Sequence, residues 1–305
     1  MAKRLSRPKM GTLRRREELE GYLYASPWLI GFTVFTLGPI IASLVFSFCK
    51  YDVVTPMEWI GFRNYGELVH DPLFWKALYN TVYYTMFSVP LNIIVGLALA
   101  MFLNQELPGV SLIRTLYYVP AVLSGVAVSM LWVWLLDPSI GLINYLLEKI
   151  GLPGPLWLSD PKWSKPALIL MSLWGVGGSM VIYLAGLQGI PQSLYDAAEI
   201  DGATGLGRIR YITIPLMTPI ILFQLIMGVI GSFQVFTQSY VMTGGGPLNS
   251  TLFYVLYLYK QAFSFFRMGV ASAMAWILLI TVLVLTLLIL RSSGSWVYYE
   301  SDVRR

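Results

Sequence analysis

The sequence predicts an all-α polytopic membrane protein with six transmembrane helices, and three observations carry that prediction. Hydrophobic residues make up 56% of the 305 positions and charged residues only 12%, against about 25% charged in a soluble domain. Six apolar runs approach the roughly 20 residues that a helix needs to cross a bilayer. Beyond their terminal turns, these runs contain no Asp, Glu, Lys, Arg or His.

The elements follow in order. Residues 1–23 are basic, with Lys3, Arg4, Arg7, Lys9, Arg14, Arg15 and Arg16 ahead of the first apolar run. An excess of Lys and Arg beside a first span predicts a cytoplasmic N-terminus, and contact with anionic headgroups is a secondary reading. The net charge of +5 is therefore no signature of nucleic-acid binding. The first span, Tyr24 to Cys49, is too long for a signal-peptide core, and Pro39 inside it predicts a kink. A polar segment, Lys50 to Tyr79, carries aromatics suited to the outer interface around Trp59, Phe62 and Tyr65. The second span covers Asn80 to Leu103 and the third Leu112 to Leu136, joined by a short turn, Asn104 to Gly109. In the external segment Asp137 to Lys165, the residues Ile140, Ile143, Leu146, Leu147 and Ile150 predict a short interfacial helix. The fourth span is Pro166 to Gln188, the fifth Leu216 to Met242 and the sixth Gly269 to Leu290. The transmembrane domain is thus 24–291, followed by a C-terminal tail at 292–305. Six crossings from an inside N-terminus put both termini and the 189–214 loop in the cytoplasm, and the 243–268 loop outside.

Absences narrow the chemistry. One cysteine, Cys49, excludes an intrachain disulfide and a multi-cysteine metal site, and one histidine, His70, is too few for a histidine cluster. No Gly-x-x-x-x-Gly-Lys-Ser/Thr loop is present to cradle ATP. Spans whose interiors lack ionisable groups argue against proton coupling, so uphill movement of a solute would draw its free energy from a partner.

The spans do carry neutral polar groups. The fifth has Gln224, Ser232, Gln234, Thr237, Gln238 and Ser239 between Phe233, Phe236 and Tyr240. The fourth has Ser172, Trp174, Ser179 and Tyr183, and the second has Asn92. Amides and hydroxyls between aromatic rings suit a neutral sugar or polyol, and the same residue types also tie membrane helices together. The candidate solute path is Trp174, Ser179, Ser232, Phe233, Gln234 and Phe236, with the Phe233–Phe236 neighbourhood foremost.

The stretch from Gln192 to Pro215 is polar and lies between two apolar runs. Ser193 reads as an N-cap, with Asp196 three residues on to complete a capping box. Ala197 and Ala198 offer a small packing face, and Gly202 can stop this helix or open another. Ile214-Pro215 reads as a helix boundary, giving a short helix, a turn and a second short helix.

This stretch, Asp196-Ala197-Ala198-Glu199-Ile200-Asp201-Gly202-Ala203 followed by Ile212-Thr213-Ile214-Pro215, resembles the "EAA" loop of binding-protein-dependent ABC importer permeases. It departs from that pattern in its opening residue, Asp196 for Glu, and at Ile209, where an aromatic is usual. The turn Thr243-Gly244-Gly245-Gly246-Pro247 is similar to one in the sugar-type branch that includes maltose and glycerol-phosphate importers. The resemblance implies a type I ABC importer permease in a bacterial or archaeal plasma (inner) membrane, with no enzymatic activity and no cofactor of its own. It implies as partners a second, non-identical permease, two cytoplasmic ATPase subunits that bind the ATP, an extracytoplasmic solute-binding protein and a sugar-like neutral solute. It further implies that Asp196 to Gly202, with Glu199 and Asp201 between, docks into the ATPase: Asp196 orienting the loop, Ala197 and Ala198 filling the cleft, Gly202 making the turn. Two other classes stay open, a stand-alone facilitator or secondary carrier and a membrane-bound enzyme such as a lipid transferase. The cluster of Asp196, Glu199, Asp201, Arg208 and Arg210 could serve the second.

Overall fold

The computed structural model describes residues 12–105 and 108–298. The basic residues Lys3, Arg4, Arg7 and Lys9 lie outside the described residues, as do two residues of the short turn, Glu106 and Leu107. Among the described residues, four unbroken helices are long and apolar enough to cross a membrane: Glu17–Ser47, Pro72–Leu103, Gly205–Phe233 and Met268–Ser293. Two bent pairs complete the set, Val110–Val122 with Gly125–Leu135 at 100° and Ser164–Gly175 with Gly177–Gln188 at 48°. The predicted third and fourth spans are therefore each broken. Pro120, in the last turn of Val110–Val122, limits how that helix can continue, and Leu123 leaves helical backbone at ψ 149°.

The other boundaries shift for physical reasons. The second helix begins at Pro72, earlier than the apolar run, because Asp71 caps it: the Leu73 N–H donates to Asp71 Oδ1 at 2.8 Å, and Pro72 is pre-set for a first helical position. At the other end of this helix, Arg114, in the first turn of the predicted third span, donates from Nε and Nη2 to the Leu103 carbonyl at 3.1 and 2.7 Å. The kink expected at Pro39 takes the form of a π turn, Thr33–Leu37, immediately ahead of it. The same arrangement recurs at Pro215, preceded by the π turn Ile209–Thr213. A proline ring presses on the carbonyl four residues earlier, and a widened turn relieves that clash. The helix boundary predicted at Ile214-Pro215 is thus replaced by one helix that runs from Gly205 to Phe233.

Packing centres on the second helix, which lies against the helices Gly177–Gln188 and Gly205–Phe233. Leu97, Leu103, Met180, Tyr183, Leu187 and Met217 form the buried cluster between them. Gly186 allows the last two of these helices to touch: a Cβ there would sit 2.0 Å from Ile220 Cδ1. The first span joins the body through Gly38–Ser47, which packs on Met268–Ser293. Its apolar window is otherwise unburied. The predicted interfacial helix is present as Leu142–Lys149, fixed by buried Asn144, whose Oδ1 accepts from Trp157 Nε1 at 2.7 Å.

The segment 243–268, expected as a loop, belongs to the core. Gly244 and Gly245 at φ 60° and 95° reverse the chain, which then feeds the helix Tyr254–Tyr259 inward. Tyr254 is 1% exposed; its hydroxyl donates to the Met274 carbonyl and its N–H to Thr81 Oγ1. Tyr257 donates to the Asp71 carboxylate, and burial together with that carboxylate raises the phenol above its ordinary range. The capping residue of the second helix is thereby tied to this segment.

Candidate functional site

Two regions carry function-bearing geometry, one at each level of the second, fourth and fifth spans. The first is the predicted docking loop. Its helix is Gln192–Ile200, preceded by Pro191 at φ −59°, ψ 128° with no side-chain cap. Ser193 is therefore not the N-cap, because Pro191 already supplies the non-helical backbone and helix begins at Gln192. The capping box also does not form: Asp196 Oδ1 accepts from Gln192 Nε2 at 3.1 Å, one turn back on the same helix. The helix ends as the glycine predicts. Gly202 adopts φ +73°, its N–H meets the Glu199 carbonyl at 3.0 Å, and the Ala203 N–H meets the Ala198 carbonyl at 2.8 Å. That is a Schellman cap, which needs a left-handed residue at this point.

Two links hold this helix to the base of the fifth span. Tyr195 Oη and Thr213 Oγ1 lie 3.0 Å apart, and Glu199 pairs with Arg208 at 3.2 Å. Thr204 caps the next helix by accepting from the Gly207 N–H at 3.2 Å. Tyr195, Thr204 and Thr213 were not singled out by sequence; a Thr three residues ahead of Gly207, at the start of a periodic run, was the available signal for Thr204. Asp196, Ala197, Glu199, Asp201 and Gly202 are exposed and Ala198 is half-buried. Beside them Ile200 is 87% exposed and Leu206 80%, so the loop presents apolar side chains within a polar surface.

The second region is a cavity of about 480 Å³ between the second, fourth and fifth spans, within the roughly 300–1,000 Å³ of small-molecule sites. It lies where the predicted fifth span breaks. The helix stops at Phe233, Gln234 to Phe236 leave helical backbone, and a short helix, Thr237–Met242, follows. Discontinuous helices mark binding sites in transporters because they open the backbone to a cavity.

Of the predicted path residues, Ser179, Ser232, Gln234 and Phe236 line the cavity. Trp174 and Phe233 do not. Trp174 sits edge-on to Trp132, with ring centroids 5.9 Å apart. Phe233 is 2% exposed and packs with Val89 and Val229. The structure adds Ser88 and Asn92 from the second span, Tyr183 from the fourth and Gln224 from the fifth. Ser88 is the one that a search for polar groups missed, since a single serine in an apolar run carries no pattern. Asn92 Nδ2 bonds the Ser88 carbonyl at 2.8 Å and Ser172 Oγ at 2.9 Å, so it is held in place. Tyr183 Oη and Gln224 Nε2 are buried and have no hydrogen-bond partner in the protein. Buried polar atoms are almost always paired; these two atoms are exceptions that sit behind the cavity wall, Tyr183 being fully buried. Among the described residues, no Asp, Glu, Lys, Arg or His lines the cavity. Among the described residues, no group of His, Cys, Asp and Glu could hold a metal ion.

Comparison with known proteins places the chain among others of this architecture. Residues 74–294 match the family described as binding-protein-dependent transport system inner membrane component. The "Probable ABC transporter permease protein YesP" of Bacillus subtilis (strain 168) is 43% identical over 292 residues, covering 94% of each chain. The "Lactose transport system permease protein LacF" of Rhizobium radiobacter is 38% identical over 286 residues, covering 91% of this chain and 95% of that protein. A chain of a solved bacterial alginate ABC transporter, in complex with an alginate pentasaccharide-bound periplasmic protein, superposes with a TM-score of 0.81 at 26% identity. That match covers 93% of this chain and 97% of the other.

Proposed function

Since this chain belongs to the family of binding-protein-dependent transport system inner membrane components, with the fold of type I ABC importer permeases, we propose that it conducts a sugar or oligosaccharide inward as half of a two-permease channel. The other half is a second, non-identical permease. Two cytoplasmic ATPase subunits dock on the helix Gln192–Ile200, and an extracytoplasmic binding protein delivers the solute. The N-terminus, the C-terminus and the docking loop share the cytoplasmic side of the plasma membrane. ATP is bound and hydrolysed by the partner subunits.

The observation that carries the solute assignment is the uncharged cavity lined by the amides of Asn92, Gln224 and Gln234 and the hydroxyls of Ser179 and Ser232. Hydroxyls of a sugar can both donate and accept, so one ring can bond several of these groups at once. The lactose permease relative and the alginate transporter support a carbohydrate cargo. The exposed apolar side chains of the docking loop support a protein partner there, and the two links at Tyr195 and Glu199 give that partner a grip on the fifth span.

Motion follows from these contacts. When the ATPase pair closes, it carries the docking helix with it. Tyr195–Thr213 and Glu199–Arg208 pass the displacement to the fifth span. The close contact at Gly186 passes it to the fourth. Both line the cavity, so its access changes from one side of the membrane to the other.

The test is co-purification of the tagged chain from its native membrane in mild detergent, with ATP hydrolysis measured with and without candidate binding proteins. Recovery of a second permease and an ATPase, with hydrolysis stimulated by one loaded binding protein, is expected. Recovery of the chain alone and without hydrolysis would favour a facilitator instead.

A further inference from the structure

A separate feature lies on the outer flank of the second and fourth spans, away from the cavity. An apolar groove of about 340 Å³ runs between them, lined by Tyr83, Phe87, Leu91, Ile169, Leu170 and Leu173. It shares none of these residues with the cavity lining. Two lysines stand above its mouth. Lys165 Nζ lies 4.8 and 4.6 Å from the ring centroids of Tyr79 and Tyr83 and 3.1 Å from Asn80 Oδ1. Lys76 Nζ bonds the Leu248 carbonyl at 2.7 Å, and Asn80 bonds the next carbonyl, Asn249, at 2.9 Å. The two ammonium groups thus share one patch, and their charges repel across it. Among the described residues neither is paired with a carboxylate.

The patch is at headgroup depth. The second helix has 32 residues, about 48 Å at 1.5 Å per residue, against a hydrocarbon layer of about 30 Å. Lys76 lies in its opening turns and Lys165 in the first turn of the fourth span. Both therefore stand at the end opposite the docking loop. From Lys165 to Leu173 the groove descends roughly 12 Å into the hydrocarbon.

We propose that this groove and its two lysines form a binding site for one anionic phospholipid, with an acyl chain against Phe87, Leu91 and Leu170 and the phosphate between Lys76 and Lys165. Charge complementarity selects the occupant: an apolar slot beneath two cations without a carboxylate partner matches a lipid with a negative head, and a zwitterionic head would set its own ammonium against Lys76 and Lys165. The ring of Tyr83 belongs to both parts, since it lines the groove and supports Lys165. The lipid holds the outer halves of the second and fourth spans together where protein packing leaves a gap. This site depends on the spans lying in a bilayer and not on which solute is carried.

The experiment is native mass spectrometry of the purified importer complex, titrated in detergent with phosphatidylglycerol, phosphatidylcholine or inorganic phosphate. Retention of one phosphatidylglycerol with about thirtyfold preference over phosphatidylcholine is expected, the scale of two interfacial lysines. The double variant Lys76→Gln/Lys165→Gln should lose that preference. Leu170→Trp, which fills the groove, should lower retention of both lipids. Equal retention of the two lipids by the native complex, or an unchanged preference in the double variant, would overturn the proposal. Full displacement by inorganic phosphate would mean a soluble-anion site, and retention by the isolated chain but not by the complex would mean that the second permease covers this face. Either would overturn it too, and neither depends on solute uptake.

Discussion

Tyr195 and Thr213 are 18 residues apart in sequence, yet their hydroxyl oxygens meet at 3.0 Å. One belongs to the helix that faces the cytoplasmic partner. The other is buried at the end of a π turn, two residues before Pro215, within the helix of the fifth span. A loop with exposed apolar side chains is in this way fastened to a helix that lines the cavity.

Tyr195→Phe removes that bond and leaves the ring. A single hydrogen bond contributes about 1 kcal/mol, so the complex should still assemble. The transported solute per ATP hydrolysed should fall several-fold, because the motor then pulls through Glu199–Arg208 alone. Measuring uptake and hydrolysis on the same proteoliposomes checks this. An unchanged ratio would mean that the link is ornamental.

Gly202 sits at φ +73° with nothing near its missing Cβ, so its constraint is backbone and not space. Left-handed backbone costs a side-chain-bearing residue about 1–2 kcal/mol, less for Asn. Gly202→Asn should be milder than Gly202→Val in pull-down of the ATPase. Gly202→Asp, which adds a charge at the docking face, should leave the protein inserted and abolish transport. Normal uptake by Gly202→Asp would remove this loop from the coupling scheme.

Gln224 and Gln234 line the cavity, whereas Phe233 supports it from behind. Gln224→Leu and Gln234→Leu should weaken solute affinity roughly fivefold to tenfold, the effect of one lost hydrogen bond, without reducing assembly. Phe233→Ala should instead destabilise by about 3–5 kcal/mol, as for other buried aromatics. Binding isotherms and thermal melts on the three variants separate the roles. A Gln224→Leu protein with native affinity would move the solute elsewhere.

Gly186→Val should drive the fourth and fifth spans apart, since even a Cβ would fall 2.0 Å from Ile220 Cδ1. Overpacking of this kind costs about 1–3 kcal/mol. A double variant, Gly186→Ala/Ile220→Ala, should recover much of the melting temperature that Gly186→Ala loses.

Much of this was legible in the sequence because apolar runs and a polar loop with Gly202 have direct physical meanings. The number of membrane segments followed from hydropathy alone. Their breaks did not. Gln234 to Phe236 are as apolar and aromatic as their neighbours, and only tertiary packing decides that the helix stops there. The helix of the second span starts before the apolar run because Asp71 and Pro72 make a helix end that extends past it, and hydropathy does not register caps. The 243–268 segment read as a loop for a similar reason: its tyrosines lower the hydropathy, yet Tyr254 and Tyr257 are buried by bonding Met274 and Asp71. In the cavity, polar residue types pointed to Ser179, Ser232 and Gln234. Phe233 and Trp174 were included for aromaticity, which cannot tell a lining ring from a packing one.

The central claim is that ATP hydrolysis on partner subunits drives solute through the cavity by way of the docking helix. The most direct measurement is uptake of labelled solute into proteoliposomes holding the full complex, with the loaded binding protein outside and ATP sealed within. The account predicts accumulation that needs ATP and the ATPase subunits and that Gly202→Asp abolishes. Equilibration at the same rate without ATP or without the ATPase subunits would contradict it.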